Sequence, residues 1–266
     1  MKVWRLIPCL EVSGQLQMAI DQWLLKQHQA GKQSSILRFY TWASPTISLG
    51  YHQQRWPASW QHLTWQGKPL QLVRRSTGGR AVLHQGDLTY MVVTSQISRK
   101  RQDAYQEICQ FLIEAWRSLG IELHYGSVKR GDMDNPNCFA SATAADLVSA
   151  DGCKLIGSAQ LRRGEAILQH GSMSLKPDVE LFTQVFGQAP SLPKLPIAIQ
   201  GDDLIKTVIE TLTQAAADCF GICLLEQPLA EEEWQEILAQ PNLEIGLPVN
   251  RAKLNAGVSD FLRQSF

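Results

Sequence analysis

The segment that most constrains this chain is Arg74-Arg75-Ser76-Thr77-Gly78-Gly79-Arg80-Ala81-Val82-Leu83-His84, set between two apolar runs of strand character at 70–73 and 88–93. Adjacent glycines between strands let the main chain approach a partner that any Cβ would hold off. Three arginines add permanent charge in planar donor forks. Such a loop is built to hold an anionic or strongly hydrogen-bonding group. Arg74 and Arg75 end a strand, so the two-residue period sends them to opposite faces, and one of the two reaches a ligand directly.

The rest of the chain reads as alternating helices and strands. Residues 16–29 carry apolar side chains at Leu16, Ala19, Ile20, Trp23 and Leu24, a helical spacing with Ser13-Gly14 ahead of it as a cap. Residues 35–41 and 46–49 read as strands, and 51–68 as a polar, tryptophan-rich loop with a short helix. Residues 103–119 form an amphipathic helix closed by Gly120, and 122–125 a short strand. Residues 126–145 are long, polar and without period, and a loop of that length inside a compact domain is either functional or disordered. A hairpin follows, 154–161 and 166–175 around Arg162-Arg163-Gly164-Glu165. A turn centred near Arg163-Gly164 sets Ser158 opposite Gln169. The Pro-rich 187–201 read as a linker, 202–220 as a helix, and the tail from 229 holds a helix around Trp234.

With 266 residues, 44% of them hydrophobic, the chain can bury a large core, and disorder is not expected. Its formal net charge is zero, which argues against a broad nucleic-acid footprint. No apolar run reaches the length of a membrane span, and the start lacks a secretory h-region, so a cytoplasmic protein is expected. The six cysteines are then expected as thiols. None has zinc spacing, and Cys219 and Cys223 read as core packing at a helix end. Asp132-Met133-Asp134-Asn135 lacks the later glycine and glutamate of a calcium loop and reads as a polar turn.

Several residues are candidates for chemistry. Cys138, in Asn135-Pro136-Asn137-Cys138-Phe139, reads by type alone as a small buried hydrophobe, but its polar loop favours a nucleophile. A free thiol is mostly protonated at neutral pH, so a nucleophilic Cys138 needs a nearby cation. Lys154 could supply it, or could face water at a strand end. The small residues Gly157, Ser158 and Ala159 after it fit either close approach of a ligand or tight sheet packing. His170, beside Gly171, reads first as a structural histidine. His84 either orients the glycine loop or touches the ligand. Tryptophans 42, 56, 60 and 65 fit no single stacking platform and read as core and loop packing.

Taken in order, Met18-Ala19-Ile20-Asp21, Arg38 to Trp42 with Ser48 to Tyr51, Arg74 to His84, Lys154 to Gln160 and Leu168 to Ser172 resemble the biotin/lipoate A/B protein ligase family, lipoyl branch. Each piece alone is weak, while the ordered set over 18–172 is specific. Within the branch the chain is most similar to the cysteine-dependent octanoyltransferases. Arg80 stands where ATP-dependent ligases carry a third glycine, and Cys138-Phe139 stands where the transferases carry their nucleophile. Ala145-Asp146 replaces the Asn-Asp usual in ligases, a departure that weighs against adenylate and magnesium binding.

The resemblance implies an α/β fold: a mixed, largely antiparallel sheet flanked by helices with a smaller second sheet. It implies a catalytic domain over 1–220, with 221–266 as a tail packed on it and no large accessory domain. It implies transfer of octanoyl from the phosphopantetheine thioester of acyl carrier protein, through Cys138, to a lysine of a lipoyl domain such as the glycine cleavage H protein. Cys138 and Lys154 would be catalytic. Arg74, Arg75, Thr77, Gly78, Gly79, Arg80, His84, Gly157, Ser158, Ala159, His170 and Gly171 would line the substrate. No cofactor or metal is implied, and neither nucleic acid nor membrane is a partner; a monomer is expected. The competing readings are an ATP- and magnesium-dependent lipoate-protein ligase, an inactive acyl-binding module, and an amidotransferase between lipoyl domains.

Overall fold

The computed structural model describes residues 2–126, 145–191 and 203–240. In chain order the strands and helices are β1 (Lys2–Val12), α1 (Gly14–Gln29), β2 (Ile36–Trp42), β3 (Thr46–Leu49), β4 (Thr64–Trp65), β5 (Lys68–Pro69), β6 (Gln71–Arg74), β7 (Val82–His84), β8 (Asp87–Thr94), α2 (Arg101–Ser118), β9 (Leu123–Tyr125), β10 (Asp146–Ser149), β11 (Lys154–Arg163), β12 (Ala166–Ser174), α3 (Val179–Phe186), α4 (Leu204–Phe220), β13 (Ile222–Glu226) and α5 (Glu231–Leu238). Among the described residues they build an eight-stranded sheet, β13-β1-β2-β8-β12-β11-β10-β9, and a three-stranded sheet, β6-β3-β7. In the large sheet β13–β1 and β1–β2 pair in parallel and the other neighbours are antiparallel. The expected mixed α/β architecture, a large sheet with helices and a smaller sheet beside it, is what the chain adopts.

Alternation along the strands sorts the core into layers. One face of the large sheet presents Phe39, Tyr90, Val92 and Ile167 to α2 and α4. The other presents Tyr40, Met91, Val93 and Leu168 to α1 and α5. α1 starts where Ser13 Oγ accepts the Leu16 amide at 3.4 Å. The small sheet has its own apolar layer, Ile47, Leu49, Leu72 and Leu83 against Leu181, Phe182 and Val185 of α3. Trp60 seals that layer, its Nε1 donating to the Val185 carbonyl at 2.9 Å. No helix among the described residues is long and apolar enough to cross a membrane.

Residues 222–238 are tied into the sheet and α1. β13 forms the sheet edge beside β1. Arg5 donates to both oxygens of Glu233 at 2.7 Å, and to the carbonyls of Gln227 at 3.1 Å and Pro228 at 2.5 Å. Trp23 Nε1 donates to Glu236 at 3.0 Å.

Two expectations are corrected. The hairpin turns at Gly164-Glu165, with Gly164 at φ 61°, the left-handed first centre that a two-residue turn favours. Ser158 therefore faces Gly171, and Gln160 faces Gln169. The slip is two residues, so every side chain keeps its expected face. Cys219 and Cys223 are both exposed rather than packed in the core, because α4 buries the stripe of Leu204, Val208, Leu212 and Ala216 and Cys223 lies on the open face of an edge strand.

Candidate active site

The antiparallel register places four distant residues in one row. Tyr40 on β2 pairs with Thr89 on β8, Thr89 with Ser172 on β12, and Ser172 with Gly157 on β11. Paired residues point to the same side, so the row is the floor of a slot on the α1 face of the large sheet. The small sheet and the glycine loop form its roof. The cavity encloses about 430 Å³, the open solvent at its mouth included. Met18, Tyr40, Trp42, Val82 and Ala159 make it largely apolar, with Arg75, Ser48 and His84 on the roof side.

Glycines make room for this geometry. Gly79 sits at φ 96°, where an L side chain is strained, and a Cβ there would come 2.8 Å from the Arg75 guanidinium. Gly171 packs so close to β11 that a Cβ would lie 2.6 Å from Tyr90 Cε1 and 2.8 Å from the Gly157 carbonyl.

Lys154 lies at the far end of the floor. Its Nζ is 3.0 Å from Asp146 Oδ1, both side chains being 4% exposed. Asp146 continues the floor row, pairing with Gly157. The missing side chain of Gly157 leaves the space beside which the ammonium sits: a Cβ there would lie 2.9 Å from Lys154 Cε and 3.2 Å from Nζ. Lys154 therefore stands directly behind a residue that lines the slot. Removing one partner of such a buried pair costs about 3–5 kcal/mol.

Two carboxylate–imidazole pairs hold the slot walls. His170 donates Nδ1–H to Asp21 Oδ2 at 2.9 Å, and its Nε2 is hydrogen-bonded to Thr77 Oγ1 at 2.7 Å, which ties β12 to the glycine loop. Asp21 also accepts from Tyr40 OH at 3.1 Å and pairs with the fully buried Arg38 at 3.3 Å, which in turn donates to Gln17. His84 donates Nδ1–H to Asp87 Oδ2 at 2.8 Å, and its Nε2 lies 2.8 Å from Ser48 Oγ. Burial pulls the His84 imidazole below its ordinary value; Asp87 opposes the shift, while Arg75 and His170 add to it.

Of the residues expected at the site, Arg75, Gly79, His84, Gly157, Ser158, Ala159, His170 and Gly171 line the slot. Arg75 also shapes the loop, donating to the carbonyls of Ser48 at 2.8 Å, Gly78 at 2.8 Å and Arg80 at 2.7 Å. Arg74 turns the other way, onto the carbonyls of Gly50 at 2.8 Å and Gln53 at 2.7 Å. Thr77 supports His170 from behind, and neither Gly78 nor Arg80 lines the slot. Cys138 lies outside the described residues. Of the described cysteines none lines the slot, and burial pushes the Cys109 thiol up to about 11. Among the described residues no three His, Cys, Asp or Glu side chains converge as they would round a metal ion.

Met18, Tyr40, Trp42, Ser48, Val82, Thr89 and Ser172 also line the slot, and single-residue reasoning had not assigned them to it. Trp42, read as packing, stacks on His84 with ring centroids 3.8 Å apart. The buried carboxylates Asp21, Asp87 and Asp146 were missed too. Their signal was a charge set in an apolar pattern: Asp21 three residues after Met18 on an apolar helix face, Asp87 and Asp146 at the heads of apolar strands.

The model of the lipoyl protein ligase A/B catalytic domain matches residues 13–198. A curated octanoyltransferase LipM of Carboxydothermus hydrogenoformans is 38% identical over 189 residues, 70% of this chain and 70% of the relative. The octanoyltransferase LipM of Oceanobacillus iheyensis is 35% identical over 255 residues, 88% of this chain and 91% of the relative. Among solved structures, a Thermoplasma acidophilum protein with bound lipoic acid superposes with a TM-score of 0.72 at 21% identity, covering 92% of this chain and 100% of the other. A lipoate-protein ligase A bound with ATP gives a TM-score of 0.69 at 24% identity over 89% of this chain and 93% of the other. At these identities the two structures establish the shared fold.

Proposed function

The chain belongs to the lipoyl protein ligase A/B catalytic domain family, and from that premise we propose how its slot works as the acyl site of an octanoyltransferase in lipoate assembly. It is an acyltransferase: its relatives at 35–38% identity are octanoyltransferases over most of their length. Its substrates are an acyl carrier and a lipoyl domain. The donor is octanoyl-acyl carrier protein, whose phosphopantetheine thioester is already activated, so the reaction needs neither ATP nor metal. The acceptor is a lysine on a lipoyl domain of the glycine cleavage H protein type.

The slot suits the tail. From β2 to β11 it crosses three strand spacings, about 14 Å. An extended octanoyl chain, at roughly 1.25 Å per bond along its axis, is about 9 Å long. The methyl end lies toward Trp42 and His84 and the carbonyl toward Gly157 and Lys154. Burying seven methylene or methyl groups at ~0.8 kcal/mol each contributes a gross ~5–6 kcal/mol; ordering the chain offsets part of it.

Support for the nucleophile comes from the described residues that flank its segment. The Gly126 amide donates to the Asp146 carbonyl at 2.9 Å, so the described residues on either side of 127–144 meet at the partner of Lys154. Cys138 is the thiol in that segment. Its thiolate attacks the thioester carbonyl, the new C–S bond forms, and the phosphopantetheine sulfur leaves as the thiol after taking a proton. The acceptor amine then attacks the acyl-cysteine; the C–N bond forms, the Cys138 C–S bond breaks, and the amine's proton returns to Cys138. The Lys154 ammonium stabilises the thiolate and each tetrahedral oxyanion.

Intact-protein mass spectrometry tests this after mixing with octanoyl-acyl carrier protein without ATP. The wild type should gain one octanoyl group that a lipoyl domain discharges, and Cys138→Ala should gain none while keeping its fold. Full transfer by Cys138→Ala removes the acyl-enzyme. Transfer that requires ATP and free acid assigns the ligase reaction instead.

A further inference from the structure

Asp87 does not line the slot, yet it holds three residues that do. Its Oδ2 accepts three hydrogen bonds: from His84 Nδ1 at 2.8 Å, from Ser172 Oγ at 2.6 Å and from Thr89 Oγ1 at 3.3 Å. All three donors line the slot, and they come from three strands, β7, β12 and β8. Trp42 is attached to the same group. Its indole stacks on His84 with centroids 3.8 Å apart and donates Nε1–H to Thr89 Oγ1 at 3.1 Å. One carboxylate oxygen thus holds the roof, through His84, against the floor, through Thr89 and Ser172.

The other oxygen, Oδ1, is buried without a hydrogen-bond partner among the described residues. A carboxylate buried to 7% exposure with one oxygen unfilled is a costly way to fill a core position. What it achieves is geometric. An ionised carboxylate only accepts, so His84 must present Nδ1–H to it, and the neutral ring then offers Nε2 to the Ser48 hydroxyl at 2.8 Å. The lowering of His84 by burial agrees with that neutral form.

We propose that Asp87 is a positioning residue of the acyl slot: by gathering His84, Thr89 and Ser172 onto one oxygen it fixes the roof and floor between which the acyl chain lies. The proposal rests on reading the slot as the acyl site. Without the acceptor, His84 loses the partner that sets its tautomer, Thr89 and Ser172 lose the bond that fixes their rotamers, and the two contacts that tie Trp42 to this group, the His84 stack and the Thr89 bond, lose their anchor. The slot becomes soft, and the site loses discrimination by length before it loses chemistry.

The test compares wild type with Asp87→Leu, which matches the shape but removes the acceptor, and Asp87→Asn, which restores a neutral acceptor oxygen. Acyl-enzyme formation is followed with six-, eight-, ten- and twelve-carbon acyl carrier protein donors. In Asp87→Leu we expect KM for the eight-carbon donor to rise about tenfold, more than kcat falls. The eight-over-ten carbon ratio of kcat/KM should drop by about tenfold. Asp87→Asn should recover most of both. ¹⁵N NMR of the histidines should show His84 as the Nδ1–H tautomer in wild type and not in Asp87→Leu. Should Asp87→Leu not fold, Thr89→Val and Ser172→Ala each remove one donor from the same oxygen and should each lower the length ratio part-way.

An unchanged length ratio in folded Asp87→Leu, or in both hydroxyl variants, overturns the proposal, as does an Nε2–H tautomer of His84 in wild type. A wild type that takes up no acyl group of any length refutes the acyl reading of the slot instead, and the tautomer result still decides whether Asp87 sets His84.

Discussion

Gly157 and Gly171 face each other's strands across the β11–β12 pair, yet the same substitution should do opposite things at the two. At Gly171 a Cβ would lie 2.6 Å from Tyr90 Cε1 and 2.8 Å from both the Gly157 carbonyl and Ser158 Oγ. Main chain and a packed ring cannot step aside, so Gly171→Ala is an overpacking change costing about 1–3 kcal/mol, a loss of about 3–10 °C in Tm for a chain of this size. At Gly157 a Cβ would meet Lys154 Cε at 2.9 Å and Nζ at 3.2 Å. That is the far end of a flexible side chain, which can shift by a few tenths of an ångström while keeping its pair with Asp146. Replacing a strand-interior glycine also returns about 0.5–1 kcal/mol. Gly157→Ala should therefore keep Tm within about 2 °C. What moves is the ammonium, and a catalytic group displaced by about 1 Å costs up to about 100-fold in rate. The assay is a thermal melt beside single-turnover acylation from octanoyl-acyl carrier protein. A Gly157→Ala variant with wild-type rate, or one that melts as early as Gly171→Ala, would refute the link between Lys154 and the slot.

Arg5→Met should release the segment around α5, costing about 3 kcal/mol; limited proteolysis should then cut between residues 227 and 238 while acyl-enzyme still forms. Burial raises Glu233, but its hydrogen bonds from Arg5 and the Ala230 amide outweigh that and leave it lowered. Its stabilisation is thus present above the ordinary carboxylate value and lost as pH falls through the folded one, so Arg5→Met should flatten the fall in Tm between about pH 5 and 3. His84 is also lowered, so its stabilisation is complete above about pH 6.5 and lost as pH falls from there toward its folded value. His84→Gln should remove that part of the slope in melts between about pH 7 and 5; an identical slope would contradict a buried, neutral imidazole.

Much of the framework was legible because local pattern and tertiary environment agree. The stripe Leu16, Ala19, Ile20, Trp23 and Leu24 marked α1, and the hairpin β11–β12 was placed with the right faces, though two residues out of register. The register depended on whether Arg163 or Glu165 shared the turn with Gly164, a difference that alternation cannot report. β1 and β13 were not read as strands. β1 lies between parallel partners whose sequences are remote from it, residues 36–42 and 222–226, and its apolar pattern is broken by Pro8 at a register shift between Ile7 and Leu10. At the site, the glycine loop, Lys154 and the Gly157–Ala159 run stood out by residue type. Thr89, Ser172 and Tyr40 did not, since nothing in their own neighbourhoods separates them from ordinary strand residues.

Residue order alone determines which chemical groups are at hand and which face of each element is apolar, because both follow from side-chain type and backbone period. It carries the glycine at 79, the arginine fork at 75 and the lysine at 154. Only the assembled sheet decides that residues 40, 89, 172 and 157 form one floor, that Asp146 answers Lys154, and that Asp87 gathers three strands onto one oxygen. Strand pairing is long-range: a hydrogen-bond ladder has no register until its partner is present, and a buried charge has no energy to speak of until the surrounding protein has excluded water and supplied its counter-group.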